Sequence, residues 1–231
     1  MLERRLEPEV MDTSEDAHDY DTMDHRTVNH VFVDDFLSFA FTNRFAARLA
    51  DQSRPLRLLD VGTGTALIPI ELCRRPVACQ IIAIDLAAEM LKLADLNIAN
   101  AGMASLIQTE RVDAKLMPYA SGAFEAVISN SIVHHIPEPR AVFSEMARVL
   151  QRGGLLFVRD LLRPESLDEV DQFVATYAGR ENQHSQQLFR DSLHAALTLE
   201  EVRAFTIAQG IPATSVVQTS DRHWTLSWFN V

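Results

Sequence analysis

The sequence has few cysteines, no excess of basic residues and no long apolar run, and each shortage excludes a class of protein. Its 231 residues include 2 cysteines, Cys73 and Cys79. Two cysteines are too few for a disulfide framework and fit a reducing compartment. The N-terminal stretch MLERRLEPEVMD lacks the apolar run of a signal peptide, and no segment approaches membrane-spanning length. We therefore expect a cytoplasmic protein with no membrane partner.

Acidic residues outnumber basic ones, and the excess is concentrated near the start of the chain. The 32 Asp and Glu residues exceed the 21 Lys and Arg residues, which gives a formal net charge of −11. Residues 1–35 contain eleven acidic residues and three arginines, so this segment contributes −8. Nucleic-acid binding requires concentrated Lys and Arg, so we expect no nucleic-acid partner.

The first 50 residues differ in pattern from the rest of the chain. Apolar residues at helical spacing in 26–50 predict one helix, ended by Arg54 and Pro55. Its predicted apolar face consists of Val28, Phe32, Phe36, Phe39 and Leu49. We predict that residues 1–50 form an acidic segment and a helical cap, and that residues 1–18 are a solvated tail.

Strand-like and helix-like segments alternate from residue 56 to residue 160. Five short apolar runs have the length and composition of strands, at 56–61, 80–85, 107–112, 124–130 and 155–160. Amphipathic segments at 87–101 and 138–151 have helical spacing. Strands that are apolar on both faces and alternate with helices predict a parallel sheet between two layers of helices.

The pattern changes after residue 160. Two helix-like segments without an intervening strand predict a helical insertion at about 164–197. A further helix follows, with Thr198 and Glu201 in the positions of a capping box. The last two strand-like runs, 213–219 and 223–229, predict an antiparallel hairpin at the edge of the sheet.

A glycine-rich turn joins the first predicted strand to the helix that follows, in the stretch LLDVGTGTALIPIEL. Glycines at such a turn let the backbone approach a ligand closely. A dinucleotide fingerprint requires a third glycine, but Leu67 occupies that position. The pattern is instead an acid, two glycines and a small residue, at Asp60, Gly62, Gly64 and Ala66. This pattern resembles the first motif of class I S-adenosylmethionine-dependent methyltransferases.

Three more polar residues end the second, third and fourth predicted strands: Asp85, Asp113 and Asn130. The carboxyl ends of parallel strands form the crevice in which open α/β sheets bind ligands. The carboxylate of Asp85 is suited to accept hydrogen bonds from both hydroxyls of a ribose. Any single Asp in such a position can equally be a helix cap or a turn residue, but the joint spacing favours a shared site.

The resemblance to the methyltransferase family implies a cofactor site and a fold. The stretch RVDAKLMPY is similar to the family's third-strand motif, whose acid and following residue flank the adenine. The implied S-adenosylmethionine-binding residues are Asp60, Gly62, Thr63, Gly64, Asp85, Leu86, Asp113, Ala114, Asn130 and, from the N-terminal segment, Tyr20. The implied α/β fold is a Rossmann-like, seven-stranded, mostly parallel sheet with an antiparallel last strand and helices on both faces. Residues 51–231 form the methyltransferase domain in this interpretation.

The end of the fourth predicted strand narrows the resemblance to one branch of the family. Its sequence, SNSIVHH, lacks the N/D-P-P-[YF] signature of enzymes that act on nitrogen atoms of bases or amides. The arrangement is similar to the small-molecule branch, such as the quinone-biosynthesis C-methyltransferases. This similarity implies a small-molecule acceptor, without indicating which acceptor or which atom is methylated.

Four residues near the predicted cleft are candidates for the acceptor side. His134 and Asp160 are the candidate catalytic residues, and His134, Arg159 and Arg163 are candidates for substrate binding. The alternatives are that His134 and His135 shape the loop, and that an ion pair of Asp160 or Arg163 fixes the insertion to the core. Because adjacent histidines point in different directions, we expect no metal site without further ligands.

Three hypotheses follow from the sequence. The first is an enzyme that transfers a methyl group from S-adenosylmethionine to a small acceptor. The second is a methyltransferase-like protein that binds S-adenosylmethionine without turnover, because the best-supported residues all belong to the cofactor site. The third is a nicotinamide-dependent oxidoreductase, which Leu67 disfavours.

Overall fold

A computed structural model describes residues 2–7, 12, 21, 26–42 and 45–231 of the chain. These residues form a seven-stranded sheet. Its strands are β1 (Leu56–Val61), β2 (Cys79–Asp85), β3 (Ile107–Arg111), β4 (Phe124–Asn130), β5 (Leu150–Leu161), β6 (Val216–Gln218) and β7 (His223–Phe229). The order across the sheet is β3-β2-β1-β4-β5-β7-β6, and β7 runs antiparallel to both of its neighbours. The predicted fold class is confirmed, including the hairpin at the sheet edge.

The strand order places a crevice at the centre of the sheet. Strand β1 pairs in parallel with β2 on one side and with β4 on the other. The chain therefore leaves β1 toward one edge of the sheet, and it returns past β1 to form β4 and β5. In open α/β sheets, this reversal opens a crevice at the carboxyl ends of the central strands.

Helices cover both faces of the sheet. They are α1 (Arg26–Phe41), α2 (Ala46–Ala50), α3 (Leu67–Cys73), α4 (Ala88–Asn100), α5 (Pro139–Val149), α6 (Leu167–Phe173), α7 (Gln183–Ala195) and α8 (Leu199–Ile207). A π-helical turn, Val174–Ala178, continues α6. Within the described residues, no helix is long and apolar enough to cross a membrane.

Helix α1 packs on the sheet through aromatic side chains. The rings of Phe32 and Phe36 lie 5.3 Å and 5.8 Å from the ring of Phe157 on β5, both in edge-to-face geometry. Edge-to-face pairs add to the free energy gained from burying the rings. These contacts fix α1 against the same strand that carries Arg159 and Asp160.

Three details of the predicted elements are wrong. The single helix predicted for 26–50 is two helices, because Thr42 Oγ1 donates to the Phe39 carbonyl where α1 ends. Val28 was predicted on the apolar face but is 39% exposed, since the buried side of α1 begins only at Phe32. Strand β5 begins five residues before the predicted 155–160 run, so it includes the last two residues of the segment 138–151 that was predicted to be helical.

The region after β5 is helical, as the sequence predicted, and α8 begins with the predicted capping box. Thr198 Oγ1 accepts from the Glu201 amide at 3.2 Å, and Glu201 Oε2 accepts from the Thr198 amide at 2.8 Å. These reciprocal bonds satisfy backbone donors that a helix start leaves unpaired. The division of the chain at residue 50 remains a prediction.

Candidate functional site

A cleft with about 800 Å³ of empty space, part of it open to solvent, lies at the carboxyl ends of β1, β2 and β4. The structure brings seven of the predicted cofactor-binding residues to its walls: Gly62, Gly64, Asp85, Leu86, Asp113, Ala114 and Asn130. Tyr20 lies outside the described residues. The ligand contacts of all these residues stay predictions.

The glycine turn after β1 is held close to its neighbours. The amides of Gly62 and Thr63 both donate to the Ile84 carbonyl at 2.8 Å. Gly62 has a φ of +73°, and a Cβ at this position would lie 2.1 Å from Cγ2 of Ile132. Glycine is required here because its hydrogen permits both the left-handed backbone and the close approach of Ile132.

Asp85 connects the glycine turn to the helix that follows β2. Its Oδ2 accepts from the Gly64 amide at 2.8 Å, and its Oδ1 accepts from the Ala87 amide at 2.9 Å. Burial raises the pKa of Asp85, while these backbone hydrogen bonds act in the opposite direction. Each carboxylate oxygen retains a further lone pair that can accept a hydrogen bond from a ligand in the cleft.

Two of the predicted cofactor-binding residues do not line the cleft. Thr63 is 9% exposed, and Asp60 is 2% exposed beneath the glycine turn. Burial, with a smaller contribution from the nearby charge of Asp85, raises the pKa of Asp60 to about 7. We infer that Asp60 supports the turn, because its carboxyl group is enclosed by protein.

Asp113 and Asn130 occupy opposite sides of the cleft. Asp113 Oδ1 accepts from the Lys115 amide at 2.8 Å and lies 3.1 Å from Lys115 Nζ. Asn130 ends β4 and is followed by Ser131, which has a φ of +56°. A positive φ at a residue other than glycine is strained, and such strain often accompanies a binding site.

The two adjacent histidines have different environments. His135 lines the cleft, whereas His134 is 3% exposed and faces Asp160. His134 Nδ1 lies 2.5 Å from Asp160 Oδ1, and Asp160 Oδ2 accepts from the Val133 amide at 2.6 Å. The two candidate catalytic residues are therefore paired with each other, but the pair is buried behind the cleft wall.

The position of His134 and the charged groups around it argue against its use as a general base. Burial alone would lower the pKa of His134, but the carboxylates of Asp160 and Glu7 raise it above its ordinary value. Burial alone would raise the pKa of Asp160, but His134 lowers it. Nδ1 of His134 faces Asp160, Nε2 faces Glu7, and the residue does not line the cleft, so we infer that this pair positions the turn that carries His135.

The two arginines near β5 contact protein groups outside the cleft. Arg159 donates through Nε to Thr225 Oγ1 at 3.0 Å and through Nη2 to Asp35 at 2.6 Å. Arg163 donates to the Ala196 carbonyl at 2.9 Å and pairs with Glu201. Neither lines the cleft. Their predicted role in substrate binding therefore has less support than their role in fixing the surrounding helices to the sheet.

Residues 2–7 lie against the histidine turn, so the predicted solvated tail is wrong for this segment. The Arg4 guanidinium donates to the carbonyls of His134 at 3.1 Å and of Ala195 at 2.7 Å. The Arg5 amide donates to the His194 carbonyl at 3.0 Å. This segment has no periodicity that would have predicted these contacts, because each partner is more than a hundred residues away in the chain.

Several residues of the cleft wall were not predicted as site residues from the sequence: Met90, Lys115, Ser131, Ile132, His135 and Ile136. Most of them directly follow the ends of β3 and β4, or lie one turn into the helix after β2. Their proximity to predicted residues was the available signal. It was weak, because an apolar side chain after a strand is typical of the core as well as of a binding site.

Comparison with known proteins also indicates a methyltransferase domain around this cleft. Residues 59–158 match a family model described as a methyltransferase domain. A ubiquinone biosynthesis O-methyltransferase of Xanthomonas oryzae pv. oryzae is 35% identical over 127 residues, which cover 54% of this chain and 51% of the relative. A demethylmenaquinone methyltransferase of Porphyromonas gingivalis is 30% identical over 122 residues, covering 52% and 50%. The chain thus spans about half the length of the curated relatives it matches.

A solved structure extends the likeness to the whole fold. A crystal structure described as a putative S-adenosyl-L-methionine-dependent methyltransferase from Methanococcus maripaludis aligns over 98% of both chains with a TM-score of 0.68. The identity is 16%, so this match concerns the fold alone. Together, the cleft, the matched domain and the two relatives confirm the resemblance to the small-molecule, quinone-biosynthesis-like branch. Residues 59–158 are therefore similar to a methyltransferase domain.

Proposed function

We propose that this protein is an S-adenosylmethionine-dependent methyltransferase that acts on a small-molecule acceptor. The observation that carries the proposal is Asp85, which binds the backbone of the glycine turn and still presents carboxylate oxygens to the cleft. A ribose with two free hydroxyls matches this arrangement, whereas an isolated phosphate would be repelled by the carboxylate. The matched methyltransferase domain supports the same cofactor.

The described residues fit this cofactor along the length of the cleft. Gly62 and Gly64 leave space for close approach of a ligand to the backbone. Met90 and Ile132 supply apolar walls, and the Asp113–Ala114 pair lies where the resemblance implies the adenine. Asn130, at the end of β4, is the proposed contact of the methionine end. The two carboxylates and the amide can thus orient a molecule that is charged at one end and aromatic at the other.

When bound, S-adenosylmethionine supplies an activated methyl group. The chain has to position the acceptor, exclude water and accept a proton if the acceptor is a hydroxyl or an activated C–H. His135 is the proposed proton acceptor, because it lines the cleft and His134 does not. His134 and Asp160 are proposed as positioning residues, since their contact fixes the turn Val133–His135.

The proposed acceptor is an aromatic ring of the quinone type. Support comes from the printed names of the two relatives, one a ubiquinone biosynthesis O-methyltransferase and the other a demethylmenaquinone methyltransferase. The acidic net charge of −11 also disfavours a nucleic-acid acceptor. Residues 51–231 are proposed as the catalytic domain and residues 1–50 as its cap.

The experiment that tests this function measures product formation. The full chain is incubated with S-adenosylmethionine and a panel of catechols, hydroquinones and naphthoquinols, and S-adenosylhomocysteine is quantified by mass spectrometry. We expect product above the level without acceptor for at least one compound, and loss of this product in Asp85→Asn. Tight S-adenosylhomocysteine binding without turnover on any ring would instead support the binding-protein hypothesis.

A further inference from the structure

Three side chains that are not proposed cofactor contacts come together at the cleft wall and behind it: Glu7, His134 and His135. We name them the Glu-His-His cluster. Glu7 Oε1 lies 3.0 Å from His135 Nδ1 and 3.6 Å from His134 Nε2. All three donor atoms lie within 4.8 Å of one another, and the cluster is the one group of this kind among the described residues. The sequence predicted no metal site because the two histidines lacked a further ligand, and Glu7 supplies it.

The separations within the Glu-His-His cluster match those between ligands of one metal ion. Zinc binds histidine nitrogen and carboxylate oxygen at about 2.0 to 2.2 Å in tetrahedral geometry, so neighbouring ligand atoms are about 3.3 Å apart. The two measured separations, 3.0 Å and 3.6 Å, lie on either side of this value. An ion can therefore be accommodated with small movements of side chains.

Asp160 orients one histidine of the cluster in the way that metal sites require. Its contact with His134 Nδ1, at 2.5 Å, leaves Nε2 of the same ring directed toward Glu7. Metal-bound histidines almost always donate their other nitrogen to a carboxylate, a carbonyl or water. The carboxylate–histidine pair at this position is thus already in the arrangement of a ligand and its supporting group.

Two donor atoms of the cluster lack hydrogen bonds. Within the described part of the chain, Glu7 Oε1 and His135 Nδ1 are buried and have no hydrogen-bond partner, although they lie close together. The other oxygen of Glu7 accepts from Ser192 Oγ at 3.3 Å. Buried polar atoms without partners are uncommon, and an ion is one of the groups that satisfies them.

The charges around the cluster favour a cation. Glu7 and Asp160 provide two carboxylates, and the Arg4 guanidinium compensates one of them while it donates to nearby carbonyls. A divalent cation at the cluster would balance the remaining negative charge of these carboxylates.

We propose that Glu7, His134 and His135 form a binding site for a divalent transition-metal ion of the zinc class. Three protein ligands leave one coordination position for water or for an oxygen atom of a molecule in the cleft, which His135 also lines. The N-terminal segment would then be tied to the cleft wall through Glu7. With an ion bound at Nδ1, the neutral His135 ring carries its proton on Nε2 and is a ligand rather than the proton acceptor proposed above. Metal binding itself does not require methyl transfer.

The test uses the untagged full chain after treatment with a chelator. Zn²⁺ is titrated calorimetrically, and Co²⁺ is titrated by visible absorption, which reports tetrahedral nitrogen and oxygen ligation. We expect one equivalent of each ion to bind. Glu7→Gln and His135→Asn should each weaken binding by at least about tenfold, the smallest effect seen even for supporting groups of metal sites.

A matched control is available on the surface of the protein. Glu71→Gln removes a carboxylate that lies 3.1 Å from His30 Nδ1, which is a similar pair outside the Glu-His-His cluster. This variant should bind one equivalent of Zn²⁺ with unchanged affinity. The proposal is overturned if the wild-type chain binds no stoichiometric Zn²⁺ or Co²⁺, or if either cluster variant, shown to be folded by circular dichroism, binds as tightly as the control.

Discussion

Replacing Asp60 by asparagine removes a carboxyl group that is almost fully buried beneath the glycine turn, while it preserves the size and shape of the side chain. Burial raises the pKa of Asp60 from 3.8 to about 7. In the unfolded chain the carboxyl group ionises near its ordinary pKa. Between these two values, the folded protein binds more protons than the unfolded protein, so wild-type stability falls as the pH rises.

The size of this effect follows from the shift. A change from 3.8 to about 7 corresponds to about 4 kcal/mol of folding free energy, fully lost above pH 7. Over an accessible range of about pH 5.5 to about pH 8.5, the wild-type chain should lose about 2 kcal/mol relative to Asp60→Asn. The difference should change by about 1.4 kcal/mol per pH unit below pH 7 and become constant above it.

The assay is urea denaturation of both proteins across this pH range, followed by circular dichroism at constant ionic strength. Other titrating groups are common to both proteins, so the difference in unfolding free energy isolates Asp60. A difference that does not vary with pH would refute the argument, because it would mean that Asp60 ionises in the folded protein as it does in water.

Two further predictions concern the glycine turn at the cleft and the His134–Asp160 pair behind its wall. Gly62→Ala should lower the free energy of unfolding by about 2 kcal/mol or more, because the left-handed backbone and the contact with Ile132 both disfavour a Cβ. Gly102→Ala should cost only about 1 kcal/mol, because Gly102 has a φ of +70° but open space around it. Equal losses for the two variants in urea denaturation would contradict this prediction. Asp160→Asn should cost about 3 to 5 kcal/mol at neutral pH, since it leaves His134 without its buried partner. A loss below about 1 kcal/mol in the same assay would show that the pair is not a major contributor.

Local patterns were sufficient to predict the fold and much of the cleft. Strands that are buried on both faces appear in the sequence as short apolar runs, and Asp85, Asp113 and Asn130 directly follow such runs. Because parallel strands end at the same edge of the sheet, residues in these positions come together regardless of the details of packing. The glycine turn was recognisable for the same reason, since its spacing is confined to a few consecutive residues.

Contacts between distant segments could not be predicted in this way. Glu7 meets His135 across 128 positions of the chain, and no periodicity in either segment indicates the other. Which of two adjacent histidines faces the cleft depends on the short turn Val133–His135, whose orientation is set by Asp160. Asp60 was placed at the ligand because its position in the motif is acidic, but the last four residues of β1 are all buried, on both faces of the sheet, and Asp60 is one of them.

The central claim is that Asp85 binds the ribose of S-adenosylmethionine at the glycine turn, and calorimetric titration with S-adenosylhomocysteine tests it most directly. Asp95→Asn, on the exposed side of helix α4, serves as the matched control. Asp85→Asn should weaken binding by about 10- to 100-fold, because it removes charge-assisted hydrogen bonds of about 1.5 to 3 kcal/mol, while the control should bind like the wild-type chain. Equal affinity in Asp85→Asn and the control, or no binding to the wild-type protein, would contradict the account.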